Sequence, residues 1–353
     1  MNAMDQFTGT MPVREQHRFD VGRLEAWMEE NVAGPIGRLA VEQFKGGQSN
    51  PTYRVRGVGK EYVLRRKPPG KLLPSAHAVD REYRIITALH QTGFPVPMPY
   101  ALCMDDSIIG TAFYLMEYVE GRVFWDPTLP ELQSGKRGEI YAAMNECIAH
   151  LHGIDYAAIG LGDYGRPGNY VMRQIDRWSR QYRASETEKI EAMDRLIDWL
   201  PKNAPADEDT TIIHGDFRID NLIFHPREPR VLAVLDWELS TLGNPLSDFA
   251  YHMMPWRLGP QHYRGLLGFD LAALGIPSEE QGCALYCRRT GRASLPDWDF
   301  YMAFNMFRLA AILQGIMGRV REGTAASLRA SEAGARARGI AEAGWQQVEA
   351  LGR

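Results

Sequence analysis

Cysteine is scarce. The 353 residues hold four, Cys103, Cys147, Cys283 and Cys287, with no CxxC pair among them. That excludes a disulfide-built scaffold and suits a reducing compartment, so free thiols are expected. Cys283 and Cys287 stand four apart and would share a helix face, but no neighbouring Cys or His completes a metal site. No apolar run reads as long enough to cross a bilayer, and "MNAMDQFTGTMPVREQHRF" carries neither a secretory core nor an Arg-rich transit pattern. A soluble cytoplasmic protein with no membrane partner is the expectation. Neither sign of charge dominates: the net charge of -4 gives no general pull toward nucleic acid, and none is expected as a partner. No internal repeat is present, which removes solenoids.

What is there is ordinary globular material, 45% hydrophobic and 24% charged, in a chain long enough for two lobes. A short helix is predicted from Asp20 to about Asn31. Short strands with turn signals follow from Val41 to Met116, interrupted by one helical stretch, "AVDREYRIITALHQTG". After "FYLMEYVEG" the period changes to helical, first in "EIYAAMNECIAHLHGI". The boundary therefore falls near Tyr118 to Gly121, giving a sheet-rich lobe over 1–118 and a helical lobe over 119–353. In the second lobe "NYVMRQIDRWSRQYR" and "FYMAFNMFRLAAILQGIMGRV" read as helices, "LPKNAPADEDT" as a loop and the Ala-rich end as a closing helix.

The chemistry concentrates in "IIHGDFRIDNLIF". "NLIF" and "VLAVL" read as two strands joined by the turn "HPREPR", so Asn221 enters a hairpin that Asp236 leaves. An antiparallel ribbon brings the start of one strand beside the end of the other, which lets an amide oxygen and a carboxylate converge. Those are hard ligands suited to Mg²⁺. Asp216, on the loop feeding the same edge, is placed to accept a proton from a hydroxyl. The alternative is a turn aspartate, a strand cap and a polar corner.

These residues resemble the aminoglycoside phosphotransferase and choline kinase superfamily, whose fold is similar to that of protein kinases. "HGDFRIDN" matches its His-x-Asp-x4-Asn catalytic loop, and "LDWE" stands where its metal-binding aspartate is expected. The resemblance implies an α+β, two-lobed protein kinase-like fold with a small antiparallel-sheet N-lobe and a larger, mainly helical C-lobe. It also implies an ATP- and Mg²⁺-dependent phosphotransferase with Asp216 as base and Asn221 and Asp236 as metal ligands.

The first lobe adds to this. In "FKGGQSNPTYRV", Gly46, Gly47, Ser49 and Asn50 can bring backbone amides close to phosphates; a hairpin turn is the plain alternative. Arg65 in "EYVLRRKPP" occupies the place where kinases carry a lysine, and "YVLR" resembles the kinase-like domain of acyl-CoA dehydrogenase family members ten and eleven. In "DREYRIITALH", Ile85, Ile86 and Leu89 make a buried stripe that leaves Glu82 to pair with Arg65. "MEYVEG" resembles the interlobe hinge, where backbone groups of Glu117 and Val119 would bind the base. Asp248 in "NPLSDFAYH" resembles the aspartate that buttresses the catalytic loop, with a helix N-cap as alternative.

Arg173, Arg177 and Arg180 fall opposite the apolar face made by Ile175, Trp178 and Tyr182. Such a stripe argues against polycationic antibiotics and suits an anionic acceptor such as a hydroxyacyl-CoA, unless it simply meets water. Arg288, Arg289, Arg292 and Arg308 can extend it. The expected partners are a nucleotide and a small-molecule hydroxyl acceptor. The competing reading, prompted by Arg65, is a nucleotide-binding pseudokinase serving as an interaction module.

Overall fold

Asp20 caps a helix over Val21–Asn31 by accepting from the Arg23 amide, and its buried residues Leu24 and Met28 lie one turn apart on one face. They pack on a sheet of six strands: β1 (Thr10–Met11), β2 (Ala40–Phe44), β3 (Thr52–Arg56), β4 (Glu61–Arg66), β5 (Pro99–Cys103) and β6 (Phe113–Glu117). The computed structural model describes residues 9–45, 50–69, 77–206, 209–323 and 330–352. Within them the strand order is β1-β2-β3-β4-β6-β5, every pair antiparallel.

The two-residue period of a strand explains how this sheet carries a core and a charge at once. Tyr53 and Val55 of β3, Tyr62 and Leu64 of β4, and Phe113 and Leu115 of β6 face Leu24 and Met28. Each such large apolar side chain contributes roughly 1.5–3 kcal/mol on burial. Arg65, one residue past Leu64, points to the other face, beside its register partner Tyr114. The helix Val79–His90 buries Ile85, Ile86 and Leu89 together with Glu82.

The chain divides into two units: Met1–Val123 with Leu222–Glu238, and Phe124–Asn221 with Leu239–Arg353. Sequence reading set the boundary a few residues earlier and left Leu222–Glu238 in the second lobe. That segment is the expected hairpin, Leu222–Phe224 against Val231–Val234. Its ties run to the first unit: Arg122 and Phe224 exchange two backbone bonds, and the Val234 amide donates to the Pro95 carbonyl.

In the second unit the helix Trp298–Arg321 packs against Tyr170–Ala184, Glu191–Asn203, Pro245–Met253 and Ala337–Leu351. It corrects one expectation, being long and apolar enough by composition to cross a bilayer; 83% of its apolar window is buried inside the protein. A helix apolar all round is either buried in a protein core or spans a membrane, and this one is covered mostly by the protein's own helices. Two further differences are local. The supposed loop from Leu200 begins inside a helix that runs to Asn203, and the terminal helix is split into Ala330–Gly334 and Ala337–Leu351.

Candidate active site

The loop His214 to Asn221 is held from beneath by one carboxylate. Asp248, with its side chain 0% exposed, accepts from the His214 amide through Oδ2 and the Gly215 amide through Oδ1, both at 2.8 Å. His152 Nε2 lies 3.2 Å from Oδ2, and His152 Nδ1 bonds the Tyr286 hydroxyl. Burial pushes the Asp248 carboxyl up, but the His152 bond, the charges of His152 and His214 and the His214 amide outweigh it and hold the group below the ordinary aspartate value. The N-cap of this helix is Asn244, whose side chain accepts from the Ser247 amide, so the plain reading of Asp248 falls away.

Gly215 has φ +82, and a Cβ there would meet the Leu239 carbonyl oxygen at 2.7 Å. Only glycine fits both the left-handed backbone and the space. The turn delivers Asp216, whose side chain is 16% exposed. Its Oδ1 accepts from the Tyr251 hydroxyl at 2.6 Å, and its Oδ2 from the Asn221 amide at 3.1 Å. Arg218 Nε lies 3.1 Å from Oδ1 and 3.2 Å from Oδ2. Asn221 also donates to the Asp216 backbone carbonyl, so its Nδ2 is committed and its Oδ1 turned elsewhere.

The first unit holds a different cluster. Arg65, buried on the sheet face opposite the Leu64 core, places Nε 2.7 Å from Glu82 and Nη2 2.7 Å from Asp236, with Glu238 at 3.7 Å. These carboxylates, Glu82 foremost, outweigh desolvation and hold the guanidinium firmly charged. Burial pushes the Glu82 carboxyl up, while Arg65 and the Tyr114 hydroxyl, which donates to it at 3.1 Å, favour its charged form. Asp236 sits at φ +65, a left-handed backbone that Asp adopts more readily than most residues. The Arg65–Glu82 pair anticipated from the kinase pattern is therefore present.

Of the other sequence-predicted positions, Asn50 joins this cluster. Asn50 is fully buried, donating to Glu82 at 2.7 Å and contacting His77 through its other end. Gly46, Gly47 and Ser49 lie outside the described residues. Glu117 ends β6, its amide bonded to the Met98 carbonyl, and Val119 follows with no hydrogen bond to its backbone among the described residues. The arginine stripe is engaged locally: Arg173 on the carbonyls of Arg166 and Gly168, Arg177 over Trp178, and Arg180 on Asp176. Arg289 and Arg292 likewise meet Asn145 and Asp209. Sequence reasoning missed Tyr251 and Arg218 as neighbours of Asp216. Both stood inside quoted motifs, Arg218 within the catalytic-loop match and Tyr251 one helical turn after Asp248.

A small antiparallel sheet with a paired Arg and Glu, and a mainly helical unit carrying an HxDx4N loop, define a protein kinase-like fold of the phosphotransferase type. The chain belongs to the Phosphotransferase enzyme family, whose model matches residues 40–315. It is 47% identical over 95% of its length to acyl-CoA dehydrogenase family member 10 of Mus musculus. To family member 11 of Gallus gallus it is 45% identical over 97%. It spans 32% and 45% of those two proteins, less than half of the curated relatives it matches. A solved Ralstonia eutropha protein, provisionally named an aminoglycoside phosphotransferase, is 56% identical with a TM-score of 0.85, covering 94% of this chain and 99% of that one. A thermostable mutant of aminoglycoside phosphotransferase APH(4)-Ia, solved with AMP-PNP and hygromycin B, shares the fold at TM-score 0.58 and 16% identity, covering 91% and 98%.

Proposed function

We propose that this chain transfers the terminal phosphoryl group of ATP, with Mg²⁺, to a hydroxyl of a small molecule. The observation that carries the reading is Asp216, a carboxylate fixed by Tyr251, Arg218 and Asn221 on a loop whose backbone is bonded to buried Asp248. Asp216 accepts the proton of the attacking hydroxyl, and the bonds around it aim its remaining lone pairs. Little covalent chemistry is asked of a protein in phosphoryl transfer, so positioning of this kind is the main requirement.

The donor set suits Mg²⁺. Asn221 Oδ1 and Asp236 Oδ2 accept no hydrogen bond among the described residues, and both are hard oxygens of the type this ion takes, one or two at a time. Asp236 follows the ribbon strand Val231–Val234, whose Val234 faces Leu222. When bound, the ion offsets phosphate charge. Arg65 supplies the fixed positive charge that kinases obtain from lysine, oriented by Glu82. Val119, whose backbone makes no hydrogen bond among the described residues, and Glu117 are the candidates for holding the base, and Gly46, Gly47 and Ser49 for the phosphates. AMP-PNP in a neighbour of the same fold supports nucleotide use.

For the acceptor, an anionic compound such as a hydroxyacyl-CoA agrees with relatives named for acyl-CoA chemistry. The Arg173, Arg177 and Arg180 stripe adds little, since each is engaged within its own helix or loop. One observation favours the pseudokinase alternative: Arg65 already occupies Asp236 Oδ1. Asp216→Asn separates the two. Nucleotide binding should persist while transfer of label from ATP into a metabolite extract falls about a hundredfold or more. An unchanged rate removes Asp216 as base, and bound ATP with no labelled product from the unaltered chain supports the pseudokinase.

A further inference from the structure

We propose that Tyr251 and Arg308 form a positioning pair for Asp216: the tyrosine hydroxyl fixes one carboxylate oxygen, and the arginine holds both that tyrosine and the peptide preceding Asp216. This deepens the reading above and rests on Asp216 being the proton acceptor. Tyr251 follows Asp248 by one turn of the helix Pro245–Met253, so the two share a face. Asp248 takes the Gly215 amide, and Tyr251 donates to the side chain of the next residue, Asp216, at 2.6 Å.

Arg308 lies in the buried middle of the helix Trp298–Arg321 and is 4% exposed. Its Nη2 donates to the Gly215 carbonyl at 2.6 Å, and its guanidinium lies 5.2 Å from the Tyr251 ring centroid. Gly215 thus has its N–H on a buried anion and its C=O on a buried cation, which fixes the peptides on both sides of it, the second of which leads into Asp216.

The same arginine is an expensive way to fill a core. Its contacts among the described residues are the Gly215 carbonyl and the Tyr251 ring, neither of them a carboxylate, and its Nε has no hydrogen-bond partner there. Buried ions replaced by apolar residues of like volume often leave a protein as stable or more so, so packing alone gives no reason for a guanidinium here. Its charge has a use at the tyrosine. A cation over the ring draws electron density from the phenol and strengthens the O–H as a donor to Asp216. With Oδ1 bonded to Tyr251 and Oδ2 to Asn221, rotation of the carboxylate is stopped. A proton acceptor held to a fraction of an ångström retains the advantage of orientation.

Tyr251→Phe removes one oxygen and keeps the ring. Phosphate release from MgATP, and transfer to a hydroxyl acceptor once one is identified, should fall about thirtyfold in kcat with KM for ATP unchanged. In an Asp216→Asn background the same substitution should change the residual rate by less than about twofold, because the group it serves is already lost. Arg308→Met should lower kcat about tenfold, add little to Tyr251→Phe, and be partly rescued by Arg308→Lys. Apart from turnover, the losses of stability in urea for Tyr251→Phe and Asp216→Ala should be non-additive, reporting the bond between them. Equal kcat losses for Tyr251→Phe in both backgrounds, additive unfolding, or a full rate in Tyr251→Phe when Asp216→Asn is slow would overturn the pair. A full rate in Asp216→Asn defeats the prior reading instead, and the proposal with it.

Discussion

The two units each bury a charge, and they satisfy it by opposite means. In the first, Arg65 is a cation surrounded by the side chains of Glu82, Asp236 and Glu238. In the second, Asp248 is an anion whose partners are mainly backbone amides, those of His214 and Gly215. Side-chain partners can exchange or turn without moving the chain, whereas amide partners fix the path of the backbone itself. The first arrangement leaves the chain path free of the charge, and the second fixes the loop that carries Asp216.

The comparison breaks most directly at Arg65. Arg65→Met leaves Glu82 buried without its cation, and we expect a loss of about 4–5 kcal/mol in urea unfolding. Recovery of most of that in Arg65→Met with Glu82→Gln would confirm that charge balance, and not packing, is what the arginine supplies. Asp248→Asn comes next, at about 3–4 kcal/mol, since the amide that replaces one oxygen sets a donor against the donors of the loop. Its signature should be raised hydrogen exchange at His214 and Gly215, which Arg65→Met should not produce.

A smaller effect comes from His252, beside Phe217, Phe249 and Trp256 in the second unit. Burial lowers it from 6.5 to about 4, with the Asp248 charge opposing. Between those values the unfolded chain binds the extra proton, so the stability His252 contributes is whole above pH 6.5 and lost as pH falls toward 4. That loss amounts to about 3 kcal/mol at most. His252→Phe should flatten the slope of stability against pH in this window while keeping the ring contacts. An unchanged slope would mean that other groups govern acid stability.

Much of this was legible because its cues are local. The strand pattern of "NLIF" and "VLAVL", the stripe of Ile85, Ile86 and Leu89, and the loop motif each lie within a dozen residues, and each has the form expected. The pairing of Glu82 with Arg65 was also within reach, since fold resemblance supplied the partner. The bond from the Asn50 side chain to Glu82 was not, because it joins residues 32 apart in the chain. The unit boundary was displaced for a similar reason, because the bonds joining Arg122 to Phe224 connect residues a hundred apart in the chain.

By itself the sequence carried most of the order of elements and the proton acceptor candidate, because periodicity and motif spacing are properties of neighbouring residues, while the kinase-like class came from resemblance to a known family. Only the tertiary structure decided that Asp248 holds amides instead of capping its helix, that Tyr251 donates to Asp216, and that Arg308 donates to the Gly215 carbonyl before it. A buried charge must find its partners wherever the fold brings them, and one-dimensional spacing carries no record of that meeting.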